Sequence, residues 1–367
     1  MPKKRVLIVD DSVVIRRALT DALSRNRGLD VLGSAPNARI ALMKIPLLHP
    51  DVVILDVEMP EMAALQTLTA IRNSSPEIAV ILLSVPTEQG VAATLEALSL
   101  GAKDYVTKPE IATDIDNVIE TLSGELAAKI DLFCGGVRNE QSDSLSQLAD
   151  PVGLATLPAA VTRAGTRVDV VAIGVSTGGP NALMDILSGF SADFPVPILI
   201  VQHMPSLFTK LLAERLAAHC KISVAEGRSY QSILPGGAWI APGDFHMIVE
   251  RDGETVRIRT QQDHPENSCR PSVDVLFRSV AKVYGPNVLA VVMTGMGQDG
   301  FRGCQQIRAN GGQVLAQDKA SSVVWGMPGI VVRSGMADQV VSLQDLRAEI
   351  SKRVWSHRSE ARALVGN

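Results

Sequence analysis

Short apolar runs that end abruptly in a chemically competent polar residue constrain this chain most. Residues 5–9 run into Asp10 and Asp11, residues 52–55 into Asp56, and residues 79–83 into Ser84. Tyr105 and Val106 lie in a fourth run, just before Lys108 and Pro109. Runs this short, without apolar–polar alternation, read as strands buried on both faces. Residues 13–24 follow the first run with helical spacing. Strands alternating with helices imply a parallel sheet covered on both sides.

The same grammar resumes in the second half. A strand is expected over 168–174, a Gly178-Gly179-Pro180 turn into a helix over 181–190, a strand over 196–202 and a helix over 207–219. A β-hairpin is expected over 239–259, turning at Asp252 and Gly253. Then come a helix over 273–284, a strand over 288–294, a Gly-rich turn and a helix over 301–310. Between the halves, over 124–165, Ser, Gly, Gln, Asp and Pro are frequent and the apolar period is poor. That stretch reads as a linker with a helical start. With 367 residues the chain exceeds one ordinary core. The expected division is a first domain at 1–123, a linker at 124–166, a second domain at 167–353 and a tail at 354–367.

Composition removes several functional classes. Hydrophobic residues make up 46% and charged residues 20%, as in a soluble α/β protein. A net charge of −4 argues against a nucleic-acid partner held mainly by electrostatics. The four cysteines, Cys134, Cys220, Cys269 and Cys304, have no paired spacing. That fits reduced thiols in a cytoplasmic protein better than a disulfide framework or a zinc site. The first apolar run is too short for a signal peptide, and none is long enough to insert in a membrane.

Carboxyl ends of parallel strands share one edge, where ligands bind. Asp10, Asp11 and Asp56 would meet there, and three carboxylates repel unless a cation joins them. Hard oxygen ligands suit Mg²⁺. Ser84 and Lys108, at neighbouring strand ends, could hold a phosphoryl group on a carboxylate. Helix N-capping is the ordinary explanation of one such Asp. It explains three acids, a Ser and a Lys-Pro pair poorly. In this order and spacing the residues resemble a response-regulator receiver domain over about 4–122. The resemblance implies a doubly wound, flavodoxin-like fold, with Asp56 as phosphate acceptor. It implies Mg²⁺ bound by Asp10, Asp11, Asp56 and the Glu58 backbone carbonyl, with Ser84, Tyr105 and Lys108 serving the switch. One departure is Ala63-Ala64, where the family usually has Asp-Gly.

In the second half, GVSTGGP at 174–180 follows a strand and opens a helix. A GxSxG turn exposes its Ser at a strand tip, beside helical N–H groups. Alone, the motif also fits a phosphate cradle or plain turn chemistry. A nucleophilic Ser176 needs a base. Of six histidines, His203 directly follows the strand 196–202 on the same expected sheet edge. His49 lies in the first domain, His219 at a helix end and His357 in the expected tail; His246 and His264 remain. Asp299, in TGMGQDG at 294–300, follows another buried strand and could orient the imidazole. The chain order Ser, His, Asp differs from that of α/β-hydrolases.

GVSTGGP, QHMP at 202–205, CRPSVDVLF at 269–277 and TGMGQDG together resemble the chemotaxis-type protein-glutamate methylesterases over about 168–353. The resemblance implies a Rossmann-like α/β hydrolytic domain with a mainly parallel sheet. It implies Ser176 as nucleophile, His203 as base, Asp299 as its orienting acid, and an oxyanion hole from the Thr177 and Met296 backbone N–H groups. No cofactor is implied for the esterase step. The implied substrates are methylated cytoplasmic domains of chemoreceptors, with deamidation of receptor glutamines as a second reaction. The implied phosphodonor is a chemotaxis-type histidine kinase. The competing reading is a non-enzymatic signalling module whose second domain only binds partners. A transcription factor would need a basic helix-turn-helix after the receiver, and none is apparent.

Overall fold

The computed structural model describes residues 2–59, 64–108, 115–134 and 167–365. The chain forms two compact units. The first sheet contains β1 (Lys4–Val9), β2 (Leu29–Ala35), β3 (Val52–Asp56), β4 (Ala79–Ser84) and β5 (Asp104–Thr107), in the order β2-β1-β3-β4-β5. β1 pairs in parallel with β2 and β3, and β3 with β4. Every residue of β3 and β4 is buried, which is why their sequences show no alternation. The connecting helices are α1 (Val13–Ser24), α2 (Ala38–Leu48), α3 (Ala64–Ser74) and α4 (Glu88–Ser99). Ser12, Asn37 and Thr87 cap α1, α2 and α4, each accepting a first-turn N–H that has no partner inside its helix.

Helix α5 (Ile115–Cys134) supplies the helical start expected of the linker. Leu122, Leu126 and Ile130 repeat every four residues and are buried in the first core, so the helix continues through the start of the expected linker. The rest of that linker, 135–166, lies outside the described residues.

The second sheet holds seven strands in the order β14-β13-β12-β6-β7-β9-β8. They are β6 (Val170–Val175), β7 (Ile198–Gln202), β8 (Ser223–Glu226), β9 (Gly237–Ile240), β12 (Val288–Val292), β13 (Gln313–Gln317) and β14 (Gln339–Val341), and all pair in parallel. The antiparallel hairpin is confined to β10 (His246–Asp252) and β11 (Thr255–Gln261). Its turn is Gly253 and Glu254, with Gly253 at φ +61°. Trp239, expected in the hairpin, instead belongs to β9 in the large sheet. Its strand is wholly buried, as a parallel strand requires.

The helices of this half are α6 (Gly179–Leu187), α7 (Ser206–His219), α8 (Val273–Tyr284), α9 (Phe301–Ala309), α10 (Met327–Arg333) and α11 (Leu343–Val365). Val273, Leu276, Phe277 and Val280 of α8 are fully buried in a core shared with β6, β12 and the hairpin. The chain does not fray at 354 into a tail. Leu346, Ile350 and Val354 form one buried stripe of α11, and the helix reaches 365. No helix among the described residues is long and apolar enough to cross a membrane.

Candidate active site

The carboxyl edge of the second sheet collects the expected residues. Ser176 is the first residue after β6, and its N–H donates to the Thr294 carbonyl (3.0 Å). His203 is the first residue after β7, and its N–H donates to the Val175 carbonyl (3.2 Å). Gln202 ties the two tips together, its Nε2 donating to the carbonyls of Ser176 (3.0 Å) and His203 (3.3 Å). Glycines make this closeness possible. A Cβ on Gly295 would lie 2.8 Å from Ser176 Cβ and 3.1 Å from its nitrogen. Gly178, at φ +79°, caps α6 in a left-handed conformation that other residues rarely adopt.

His203 Nε2 lies 2.8 Å from Asp299 Oδ2, and the two side chains are only 12% and 2% exposed. A carboxylate this deep is costly unless fully hydrogen-bonded. Asp299 is: Oδ1 accepts from Ser272 Oγ (2.8 Å), Asn267 Nδ2 (2.9 Å) and the amides of Asp274 (3.0 Å) and Gly300 (3.0 Å). Oδ2 accepts from the Val273 amide (2.7 Å) as well as from His203. Val273 and Asp274 open α8, so the helix N-terminus adds its positive end. Burial raises the Asp299 carboxyl, but His203 and the ring of amides outweigh it and hold it below the usual carboxylate range. For His203, burial opposes the cation. The bond to Asp299 and the neighbouring Cys269 outweigh that and raise the ring from 6.5 to about 9.

Among the described residues no hydrogen bond joins Ser176 Oγ to the His203 ring. The structure brings Ser176 and the His203–Asp299 pair to one sheet edge without a closed chain of contacts. Thr177, half-buried, stands just before α6, and Met296, 52% exposed, lies on the 294–297 loop that closes on Ser176. Sequence reasoning missed two parts of the site. One is the cradle of Asn267 and Ser272 around Asp299. A Ser before an apolar helical run signals an N-cap, and Ser272 occupies that position while bonding Asp299 instead. The other is the place of Cys269, whose Sγ lies 3.6 Å from His203 Nδ1; the CRPSVDVLF motif contains this residue but does not say that it meets the imidazole.

In the first sheet, Asp10 and Asp56 are buried and Asp11 is exposed, with carboxylate oxygens of all three within 4.8 Å of one another. Lys108 Nζ bridges Asp10 Oδ2 (2.7 Å) and Asp56 Oδ2 (2.8 Å). Burial raises the Asp56 carboxyl despite Lys108, and the two acids hold the Lys108 ammonium above its usual range despite burial. One ammonium among three carboxylates leaves excess negative charge, which fits a divalent cation with oxygen ligands. The Glu58 amide donates to Asp56 Oδ1 (3.3 Å). Ser84 ends β4, fully buried, 2.7 Å from Thr94 Oγ1. Tyr105 is half-buried on β5 with the Lys129 ammonium 5.6 Å from its ring centre. Of the Ala63-Ala64 departure, Ala63 lies outside the described residues and Ala64 opens α3, buried. Pro109 also lies outside them.

Comparison with known proteins identifies both halves of the chain. Residues 171–350 match the CheB methylesterase family, and residues 6–120 match the response regulator receiver domain. The chain is 51% identical over 354 residues to a protein-glutamate methylesterase/protein-glutamine glutaminase of Trichodesmium erythraeum, covering 96% of this chain and 100% of that one. It is 42% identical to a protein of the same description from Nocardioides, over 98% of this chain and 97% of that one. The crystal structure of the Thermotoga maritima CheB methylesterase catalytic domain superposes with a TM-score of 0.50 at 37% identity, covering 51% of this chain and 99% of that one. The chain therefore belongs to the family of protein-glutamate methylesterases/protein-glutamine glutaminases, in which a response-regulator receiver is joined to a CheB-type hydrolase.

Proposed function

We propose that the chain removes methyl groups from glutamate methyl esters on chemoreceptor cytoplasmic domains by attack of Ser176, with His203 as base and Asp299 as its orienting acid. The observation that carries this is the buried His203–Asp299 pair at 2.8 Å, set on the same sheet edge as the Ser176 turn. With Nε2 committed to Asp299, Nδ1 is the nitrogen left to take the Ser176 proton. The serine oxygen attacks the ester carbonyl, and the Thr177 and Met296 amides receive the oxyanion. The tetrahedral adduct collapses, His203 returns the proton to the leaving methoxide, and methanol departs. Water, deprotonated by His203, then cleaves the acyl-enzyme to free glutamate and Ser176. A receptor glutamine reacts by the same steps with ammonia leaving.

The first unit regulates this chemistry through phosphorylation of Asp56 by a chemotaxis-type histidine kinase. Asp10, Asp11 and Asp56, with the Glu58 carbonyl, would hold Mg²⁺, which supplies positive charge for the phosphoryl oxygens. Lys108 and Ser84 stand ready at neighbouring strand ends, and Tyr105 completes the switch. On this reading the receiver occupies 1–123 together with the rest of α5, and the hydrolase runs from 167 through α11. Receptor tails and the kinase place the protein in the cytoplasm.

The test is methanol release from methylated receptor, run beside active-site labelling by a fluorophosphonate. Ser176→Ala should lose both. Wild-type release by Ser176→Ala would exclude Ser176 as the nucleophile. An intact, folded chain that releases no methanol and takes up no label would favour the binding-module reading.

A further inference from the structure

We infer that Cys269 and His203 form a binding site for a soft divalent cation of the Zn²⁺ class, and that occupying it switches the hydrolase off. The two side chains are 66 residues apart in sequence and meet only in the fold. Their donor atoms, Sγ and Nδ1, are 3.6 Å apart. Zinc binds thiolate at about 2.3 Å and imidazole at about 2.0–2.1 Å, so two ligands of a tetrahedral ion stand about 3.6 Å apart. The separation of the pair matches that of two ligands on one ion.

The surroundings match a metal site in a second respect. A metal-bound histidine almost always donates its other ring N–H to a carboxylate, which fixes the tautomer and orients the ring. Here Nε2 faces Asp299 at 2.8 Å, and Asp299 is itself held by the Ser272, Asn267 and amide donors. In the neutral ring Nδ1 therefore presents its lone pair toward the thiol. Ligand atoms of His203, Cys269 and Asp299 all lie within 4.8 Å of one another. The thiol is also held in place. Cys269 closes a tight turn with Glu266 through two backbone hydrogen bonds (2.9 and 3.1 Å), and Arg278 grips Glu266 with two more (2.7 and 2.6 Å). Asn267 and Ser268 inside that turn have φ of +52° and +60°, so the backbone is constrained to this path. Cys269 is partly exposed, which leaves positions for water on the ion.

The consequence for turnover rests on the reading of His203 as the base. Zn²⁺ on Nδ1 would occupy the lone pair that accepts the Ser176 proton; binding releases the thiol proton to solvent and, below about pH 9, the Nδ1 proton of the imidazolium as well.

The site and the enzyme assignment can be tested separately with the full chain. Co²⁺ added to the wild-type protein should produce a thiolate-to-cobalt charge-transfer absorption that Zn²⁺ displaces. Cys269→Ser and Cys269→Ala should lose it, while Cys134→Ser and Cys220→Ser should keep it. Zn²⁺ should also protect Cys269 of the unmutated chain from alkylation, mapped by mass spectrometry. In the ester assay, the Zn²⁺ concentration that halves each protein's own rate should rise about tenfold or more in Cys269→Ser. A cobalt band unchanged in Cys269→Ser, or alkylation of Cys269 unaffected by Zn²⁺, would overturn the site. Equal Zn²⁺ sensitivity of wild type and Cys269→Ser would overturn the switch. Cobalt binding and protection in a chain that releases no methanol would support the site while sinking the esterase reading.

Discussion

Replacing Asp299 by Asn tests the logic of the site with a one-atom change. In the wild type, every polar neighbour points a donor at Asp299: His203, Ser272, Asn267 and the amides of Val273, Asp274 and Gly300. An asparagine has one accepting oxygen and one donating NH2. Four donors crowd Oδ1 but only two face Oδ2, so the NH2 settles on the Oδ2 side, against His203. Nε2 must then accept, the ring proton moves to Nδ1, and the nitrogen needed for the Ser176 proton is blocked. The same tautomer error in a serine protease lowers kcat by about 10⁴, and a loss of that order is expected here.

The pH profile carries an independent signature of this substitution. The rise of the ring from 6.5 to about 9 is a preference for the imidazolium of about 3 kcal/mol, at about 1.4 kcal/mol per unit. Wild-type kcat/KM for methanol release should therefore climb about tenfold per pH unit until it levels near 9. In Asp299→Asn burial still disfavours the cation and the carboxylate no longer favours it, so the midpoint falls back toward 6.5 on a much lower plateau. Stability follows by linkage. A folded pKa above the unfolded one means the His203 contribution is complete below about pH 6.5 and lost as pH rises through about 9. The deficit in Tm of Asp299→Asn should thus shrink in alkaline buffer. A variant within tenfold of wild type would refute the assigned tautomer, and a wild-type profile flat from about pH 7 to 9 would refute the raised His203 ring.

Two further substitutions separate the halves of the chain. Gly295→Ala places a Cβ 2.8 Å from Ser176 Cβ and against backbone, so Ser176 must move; kcat should drop about 10²-fold with KM little changed, measured by the same methanol assay. Asp56→Asn should abolish phosphoryl uptake from a small phosphodonor while fluorophosphonate labelling of Ser176 persists; phosphorylation of the variant at another residue would reassign the acceptor.

The residues at strand tips were legible from sequence because a parallel strand buried on both faces is a short apolar run with a sharp end. Asp10, Asp11, Asp56, Ser84, Ser176 and His203 could all be put on sheet edges that way. Asp299 was legible from its Gly-rich turn. Local periodicity was weaker where burial came late. The sequence of 124–165 showed only a helical start to the linker, and the packing of Leu126 and Ile130 in the first core is what ties that helix to the first unit. Trp239 sits near a hairpin in sequence, but pairing with β7 and β8 draws its strand into the large sheet. Contacts across long stretches of chain were decided only by the tertiary structure. The six donors on Asp299 come from three segments, and the Cys269 thiol reaches His203 through a turn with two left-handed residues, a contact that the motif beginning at Cys269 does not reveal. Strand patterns record which faces are buried, so they locate the tips; which side chains meet there depends on the order in which the sheet assembles its strands.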